Sequence, residues 1–519
     1  MSQPQDCGAR RLRAASPHGA ALTHLGIALI AVVVAVVVWT PLVSDYPQTW
    51  DEVQYILAVR EFDVEKHQPH PPGYYLHVKT AGLLHAAGLN ERDALIGVSI
   101  LAGAIFVGLI VWWLGETAGA GAAIAAAALT ISSPLVAKAA TEGRTYMTGA
   151  LGAAVIGYLS WRMLRGERRW AIPSSIALGL TAGFRPTVAI FLLPLWVWAL
   201  VRSGWRPALK GALAAALTAT IWVMPFLAEV GGLAHFMDVS SRLGGPVSES
   251  SPLHGGGVAA LATNLKRLGS GLLLLVGVGI VGVVRGLRSP LTESKWWLLL
   301  WILPPLAFFV LMHTGPPLYA MVFAAPLLAI VSAGLAEIGS AMSSDQRGPL
   351  LTLGVLVLMQ GGLIYGTLVR ERGTTDRQCA EIEAALQPLA DGRSIALVTM
   401  GGQQAAAEGY IPFRLAGYLL PDAHHYYFPL EVPGPPGRLP NSMYNHSTYL
   451  VEPPVVHEDA RRLLLLGGGL KRFIPETCEQ RLVYEGEGLD VWLIPVGSDQ
   501  IVRLDRDGVL QITHEATGG

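Results

Sequence analysis

The feature that most constrains this chain is a train of apolar runs, at roughly residues 25–43, 94–114, 119–138, 146–164, 170–184, 187–201, 208–228, 268–285, 296–312, 317–338 and 349–369. A helix needs about 20 apolar residues to cross the hydrocarbon of a bilayer, where no water satisfies an open backbone group. Runs of this kind, separated by short polar stretches, predict a mainly α, polytopic transmembrane helical bundle of about eleven spans, some of them short. The runs either side of Gly183-Phe184-Arg185-Pro186 read as two helices or as one broken helix, since proline interrupts the ladder. Only 14% of the 519 residues are charged, against about 25% in a soluble domain. Mean hydropathy is +0.44. A net charge of −1 gives no electrostatic footprint for nucleic acid. The first run is too long for a secretory h-region, and no small-residue cleavage site precedes the acidic stretch after it, so it reads as a retained helix.

Basic residues set the orientation. Arg10, Arg11 and Arg13 precede the first run; Arg162, Arg165, Arg168 and Arg169 follow the fourth; Arg202, Arg206 and Lys210 follow the sixth; Arg285, Arg288 and Lys295 follow the eighth. With a cytoplasmic N-terminus and eleven spans, all four clusters lie inside, as the positive-inside rule requires. The expected organisation is a cytoplasmic tail (1–24), a transmembrane domain (25–369) with a first extracytoplasmic loop at 44–93, and an extracytoplasmic α/β domain (370–519), in a multi-pass protein of the inner (plasma) membrane. In the last part charges return and alternation appears. Strands are expected at 394–400, at 482–496 in two pieces, and at 502–513 as a hairpin turning at Asp505-Arg506-Asp507-Gly508. Helices are expected at 381–389 and 459–466, and residues 431–440 read as a Pro/Gly-rich loop. Cys379 and Cys478 fall on this oxidising side, where a disulfide would close a loop of about a hundred residues. The alternative is two separate buried thiols.

Chemistry concentrates in the first loop, SDYPQTWDEVQYILAVREFDVEKHQPHPPGYYLH. Asp51 and Glu52 stand at the mouth of a membrane helix. Partly desolvated there, a carboxylate can hold the raised pKa that a general base toward a hydroxyl needs. The plainer alternative is a solvated acidic loop. In His70-Pro71-Pro72-Gly73-Tyr74-Tyr75 two prolines aim His70, which when protonated can bind phosphate; the alternative is a rigid interfacial turn with an aromatic belt. His67, His70, His77 and His85 lack a tight metal-ligand spacing. Arg144, in Thr141-Glu142-Gly143-Arg144-Thr145-Tyr146, and Arg185 are outer-side cations that need an anionic partner. For Arg144 that is Glu142 or a phosphate; snorkelling to the interface is the alternative for both. Tyr74, Tyr75, Tyr146 and Tyr319 are candidates to line the same cavity.

Together WDEVQYILAVREF, HPPGYY, EGRTY, GFRPT and a late Tyr-to-Pro segment resemble the GT-C membrane glycosyltransferases. The likeness is to the protein O-mannosyltransferases, the aminoarabinose transferase of lipid A and the RgtA-like lipopolysaccharide sugar transferases. It covers about residues 20 to 340 and is strongest from 45 to 190. It implies a polyprenyl-phosphate-linked sugar donor, a glycan, lipid or protein acceptor on the extracytoplasmic face, and inversion at the anomeric carbon. It also implies that Asp51 matches the first-loop catalytic aspartate with Glu52 its neighbour, that His70 falls where relatives carry a His or Lys near the donor phosphate, and that Arg144 matches a recurrent Arg-x-Tyr element. Two departures stand out. His-Pro-Pro continues as Gly73-Tyr74-Tyr75 where the mannosyltransferases have Leu-Gly-Lys, which argues against a protein mannosyltransferase. Leu318 precedes Tyr319 where many relatives have Arg-Tyr, which weakens a phosphate role for that turn. No cofactor is required; a divalent metal near Asp51 is compatible with the sequence. The rival readings are a transporter or flippase of an anionic lipid or solute, which also uses broken helices but shows no inverted repeat here, and a non-catalytic assembly subunit. Sugar and acceptor are not legible.

Overall fold

The computed structural model describes residues 17–66, 68–249, 251–289, 295–313, 315–342, 347–389, 394–400, 416–420, 423–429, 444–445, 455–457, 460–466, 478–486, 489–498, 500–504 and 510–514. Seventeen α-helices are named among them. In chain order they are α1 (Pro17–Trp39), α2 (Trp50–Arg60), α3 (Tyr75–Ala86), α4 (Glu91–Ala118), α5 (Ala120–Ile131), α6 (Pro134–Ala140), α7 (Tyr146–Leu164), α8 (Ala171–Phe184), α9 (Pro186–Arg202), α10 (Trp205–Glu229), α11 (Leu233–Glu249), α12 (Gly257–Val276), α13 (Val283–Gly286), α14 (Lys295–Leu311), α15 (Ala324–Met342), α16 (Arg347–Ile364) and α17 (Arg370–Leu386).

All eleven apolar runs are helical, so the protein is a mainly α membrane protein with a small sheet. Length and apolarity together single out five spans: Ala21–Leu42, Glu91–Ala118, Trp205–Glu229, Gly257–Gly286 and Pro317–Ala341. A sixth arises if α5 and α6, bent by 64°, are one broken span, and α9 and α14 are shorter apolar helices. Helix α4 lies at the centre, packed on α1, α3, α5 and α7. Trp39, fully buried, closes the top of α1 by donating from Nε1 to Ile131 O at 3.1 Å. By contrast α1 leaves Leu29, Ile30, Val33 and Val37 exposed, and α10 leaves Leu213, Leu217 and Ile221 exposed. Such apolar stripes on long helices suit lipid, where there is no hydration penalty for them.

Helices α8 and α9 are two elements and not one broken helix. Arg185 is extended (φ −155, ψ 90) and Pro186 opens α9 at its first position, where a missing N–H costs nothing. Trp196 Nε1 then donates to Ser175 Oγ at 3.3 Å; these residues lie almost equally far on either side of Arg185, so the chain doubles back as a hairpin.

Beyond α17 the strands are β1 (Ser394–Met400), β2 (His424–Pro429), β3 (Tyr444–Asn445), β4 (Val455–His457), β5 (Arg462–Leu466), β6 (Arg481–Gly486), β7 (Leu489–Pro495), β8 (Gln500–Leu504) and β9 (Leu510–His514). One sheet has the order β3-β2-β1-β5-β7-β6, with β1 parallel to β2 and β5; a second has the order β4-β8-β9. The expected strand at 394–400 and the two antiparallel pairs near 482–496 and 502–513 are present. The residues of both hairpin turns and the loop at 431–440 lie outside the described residues, apart from Glu485 and Gly486, which end β6. The helix expected at 459–466 is instead strand β5. Leu463 to Leu466 are all buried between β1 and β7, and a short run covered on both faces satisfies a central strand better than one helix face. Cys379 and Cys478 are not bridged: Cys379 is buried on α17, whereas Cys478 is half-exposed before β6.

Candidate active site

The first loop folds so that its acidic dipeptide divides. Thr49 is the N-cap of α2 in extended conformation, and its side chain accepts from Glu52 N at 3.3 Å. Asp51 and Glu52 occupy the first turn, where carboxylates favour the helix dipole. Successive helical residues point about 100° apart. Glu52 turns inward and is buried; Oε1 accepts from Gly143 N at 2.8 Å and Oε2 from Gln48 N at 2.7 Å. Burial, together with nearby Glu142, raises its pKa against the pull of these N–H groups. A Cβ at Gly143 would stand 3.0 Å from Leu95 Cβ and 3.3 Å from Glu52 Oε1, so this turn of Glu142-Gly143-Arg144 is built around glycine. Asp51, half-buried, has no hydrogen bond to its carboxylate among the described residues. Its charge acts on Tyr55, His70, Tyr74, Arg144, Tyr146 and Tyr319, which places it toward a tyrosine-rich cluster.

That cluster gathers most of the residues expected from sequence. Arg185 is buried at the α8–α9 break, donates to Thr145 Oγ1, and holds its guanidinium 4.2 Å from the Tyr146 ring centre, 5.6 Å from Tyr319 and 5.9 Å from Tyr74. No carboxylate among the described residues is within ion-pair distance of it. Beside it a recess is lined by Tyr146, Arg185, Thr187, Phe309, Leu318 and Tyr319. Arg144 is matched differently. It lies 4.9 Å from the Tyr146 ring but donates from Nε and Nη2 to Glu142 Oε2. Glu142 also meets Arg372 at 3.4 Å and Lys138 at 3.9 Å. Burial alone would raise the Glu142 pKa, but Arg144, Lys138 and Arg372 outweigh it and hold the carboxyl well below its ordinary value. Of the two partners expected for Arg144, the structure provides Glu142.

His70 packs against Tyr55 and Tyr74, with Nδ1 2.5 Å from Gln54 Oε1. Burial, together with Arg185, lowers its pKa against the opposing pull of Asp51. An amide oxygen only accepts, so Nδ1 is the donor in this contact. Tyr74 and Tyr75 diverge. Tyr74 takes a left-handed φ of 44° before α3 and joins the cluster, 5.5 Å from Tyr55. Tyr75 begins α3 and faces Phe62 and Phe226 at 5.4 and 5.6 Å, away from Arg185. His77, fully buried, lies with Nε2 3.2 Å from Gly143 O. A carbonyl only accepts, so the proton is on Nε2, and Nδ1 has no partner among the described residues.

Sequence reading did not assign Gln54, Tyr55, Thr145 or Arg372 to the site. For the first two a signal existed: they lie three and four residues after Asp51, on its side of the helix. Nothing local marks Arg372. No group of three or more metal-ligating side chains occurs among the described residues; His67 is not among them.

The fold is shared with membrane proteins of known structure. The crystal structure of ArnT from Cupriavidus metallidurans in the apo state matches with TM-score 0.55 and 16% identity, over 90% of this chain and 98% of that one. The same protein bound to undecaprenyl phosphate matches with TM-score 0.54 and 14% identity over the same shares. The Archaeoglobus fulgidus oligosaccharyltransferase in complex with zinc and sulfate covers 84% of this chain and 68% of its own, at 12% identity and TM-score 0.45. No known family pattern matches the sequence, and no curated protein matches it.

Proposed function

We propose that this protein moves a sugar from a polyprenyl-phosphate donor to an acceptor hydroxyl of a cell-envelope glycan, lipid or protein on the extracytoplasmic face, with inversion. In this reading eleven helical segments span the membrane, the N-terminus is cytoplasmic, and residues 370–519 form an extracytoplasmic domain. Asp51 takes the proton of the acceptor hydroxyl as its oxygen bonds to the anomeric carbon. The bond from that carbon to the phosphate oxygen breaks on the opposite face, and its electron pair leaves with the lipid phosphate. A phosphate leaves without further protonation, so the protein supplies position and charge neutralisation. Arg185 contributes the charge, Tyr74, Tyr146 and Tyr319 the walls, and His70, once protonated beside the phosphate, a hydrogen bond. Arg144 sets the ring of Tyr146, and Glu52 anchors α2.

The observation that carries this reading is Arg185: a buried guanidinium in a tyrosine cage, unmatched by any carboxylate among the described residues, on the side toward which Asp51 points. A buried cation is costly until an anion meets it, and guanidinium and phosphate fit in geometry and charge. Undecaprenyl phosphate in the ArnT structure makes its sugar derivatives the first donors to try.

The test is transfer of radiolabelled sugar from a panel of polyprenyl phosphates to a crude envelope acceptor fraction. Wild type is expected to label the acceptor, while Asp51→Asn loses ~10²–10⁴ in rate and still binds donor. Transfer unaffected by Asp51→Asn would remove it as the base. No transfer by folded protein from any donor would favour a flippase or an assembly subunit.

A further inference from the structure

Helix α17 begins the segment that the sequence assigns to a separate extracytoplasmic domain, yet one stripe of it grips the approach to Asp51. Arg372, Asp376, Cys379 and Glu383 fall at the spacing of a single helix face. Arg372, buried, donates from Nη1 to Leu42 O at 2.5 Å and to Thr141 Oγ1 at 2.8 Å, while Nη2 meets Glu142 Oε1. One turn on, Asp376 accepts from Ser44 Oγ, from Asp45 N at 3.2 Å and from Gln48 Nε2 at 3.3 Å. Glu383 accepts from Tyr46 Oη. Segment 42–48 is thus held at five residues and runs directly into α2. Gln48 passes the constraint on, since its N–H donates to Glu52 Oε2 while Oε1 of the same carboxylate holds Gly143. Trp50, next to Asp51, packs with Tyr46 against Ile382, Leu386 and Leu420, and Gly417 meets its ring.

We infer that Arg372 and Asp376 are positioning residues for Asp51: α17 fixes the N-terminal end of α2, and through Glu142 it also fixes Arg144. Neither residue touches Arg185 or the recess beside it. Loosening the grip therefore displaces the base while leaving donor recognition in place. The kinetic part of this inference rests on the transferase reading; the structural part does not.

The experiment compares full-length wild type with Asp376→Asn, Arg372→Lys and Arg372→Gln, and with Glu371→Gln on the exposed face of α17 as control. Hydrogen–deuterium exchange is followed peptide by peptide, and kcat and donor KM are measured separately. Amides of 44–60 are expected to exchange faster in Asp376→Asn and Arg372→Gln, with α4 unchanged. kcat is expected to fall ~10-fold or more, because ångström-scale misplacement of a reacting group costs up to ~10²-fold, while donor KM moves less than ~3-fold; Arg372→Lys should recover part of the loss. Should Arg372→Gln fail to fold, Asp376→Asn, which keeps the shape of the side chain, still decides. Unchanged exchange over 44–60 in Asp376→Asn overturns the inference, as does a KM effect with kcat intact. If wild type transfers sugar and Asp51→Asn does not, an unchanged kcat in Asp376→Asn sinks only the positioning role. If wild type transfers nothing, the exchange data alone judge the grip of α17 while the transferase reading falls.

Discussion

Arg144 and Arg185 both lie against the ring of Tyr146, at 4.9 and 4.2 Å, and both are buried. Arg144 belongs to a closed network in which Glu142 meets three cations and Glu52 ties the same turn to α2. Arg185 has a threonine hydroxyl and aromatic faces but no carboxylate among the described residues. Residue type, burial and neighbourhood are nearly the same; only the matching of charge differs. A matched buried pair contributes to holding the architecture, whereas an unmatched buried cation is a site for an anionic ligand. The dipeptide Asp51-Glu52 divides in the same way, with Glu52 bonded to Gly143 and the Asp51 carboxylate left without a hydrogen bond among the described residues.

Breaking the matched region should damage the fold most. Arg144→Gln leaves Glu142 short of its nearest cation, and loss of one partner of a buried pair costs about 3–5 kcal/mol. The thermal midpoint of the detergent-solubilised protein should drop accordingly; an unchanged midpoint would mean that Arg372 and Lys138 suffice. Acid sharpens the same contrast. Burial lowers the His77 pKa to about 4, with Arg185 adding to the shift and the bond to Gly143 O opposing it. The unfolded chain binds this proton near pH 6.5, so the stability is complete above that pH and is lost as pH falls toward 4, on the order of 3 kcal/mol in all. His77→Gln should flatten that slope in midpoints recorded from pH 7 to 4.

The unmatched region should respond in the opposite sense. Arg185→Gln removes a charge-assisted bond to the proposed donor phosphate, about 1.5–3 kcal/mol or roughly 10–100-fold in donor affinity, yet the midpoint should hold or rise because an unpaired buried charge is gone. A fall in stability comparable to that of Arg144→Gln would erase the distinction between the two arginines. The smallest effect is expected at the neighbouring tyrosines. Tyr75→Phe should leave transfer unchanged and shift stability by no more than about 0.5 kcal/mol, whereas Tyr74→Phe should slow transfer, since of these two only Tyr74 faces Arg185.

Much of this was legible locally. The apolar runs marked every membrane-domain helix that follows from them, because burial in lipid is read from composition along one segment. Glycine and proline marked the break at Arg185, and Asp51, His70, Tyr74, Tyr146, Arg185 and Tyr319 stood out as chemistry placed at the ends of apolar helices. Strand β5 was misread because four leucines in a row carry no period, and only the strands on either side show that both faces are covered. Tyr75 was grouped with Tyr74 because adjacency conceals the left-handed backbone that separates them.

The sequence by itself determined that the chain is a bundle of apolar helices with an acidic first loop and a mixed sheet after it, since helix and strand follow from local periodicity and from each segment's own need to satisfy its backbone. Which charges are matched was decided only in the tertiary structure. Glu52 meets Gly143 across 91 residues, Arg372 meets Glu142 across 230 and Leu42 across 330. Those separations carry no local pattern, and a buried charge is neutral to the fold or costly to it according to what lies within a few ångströms in space.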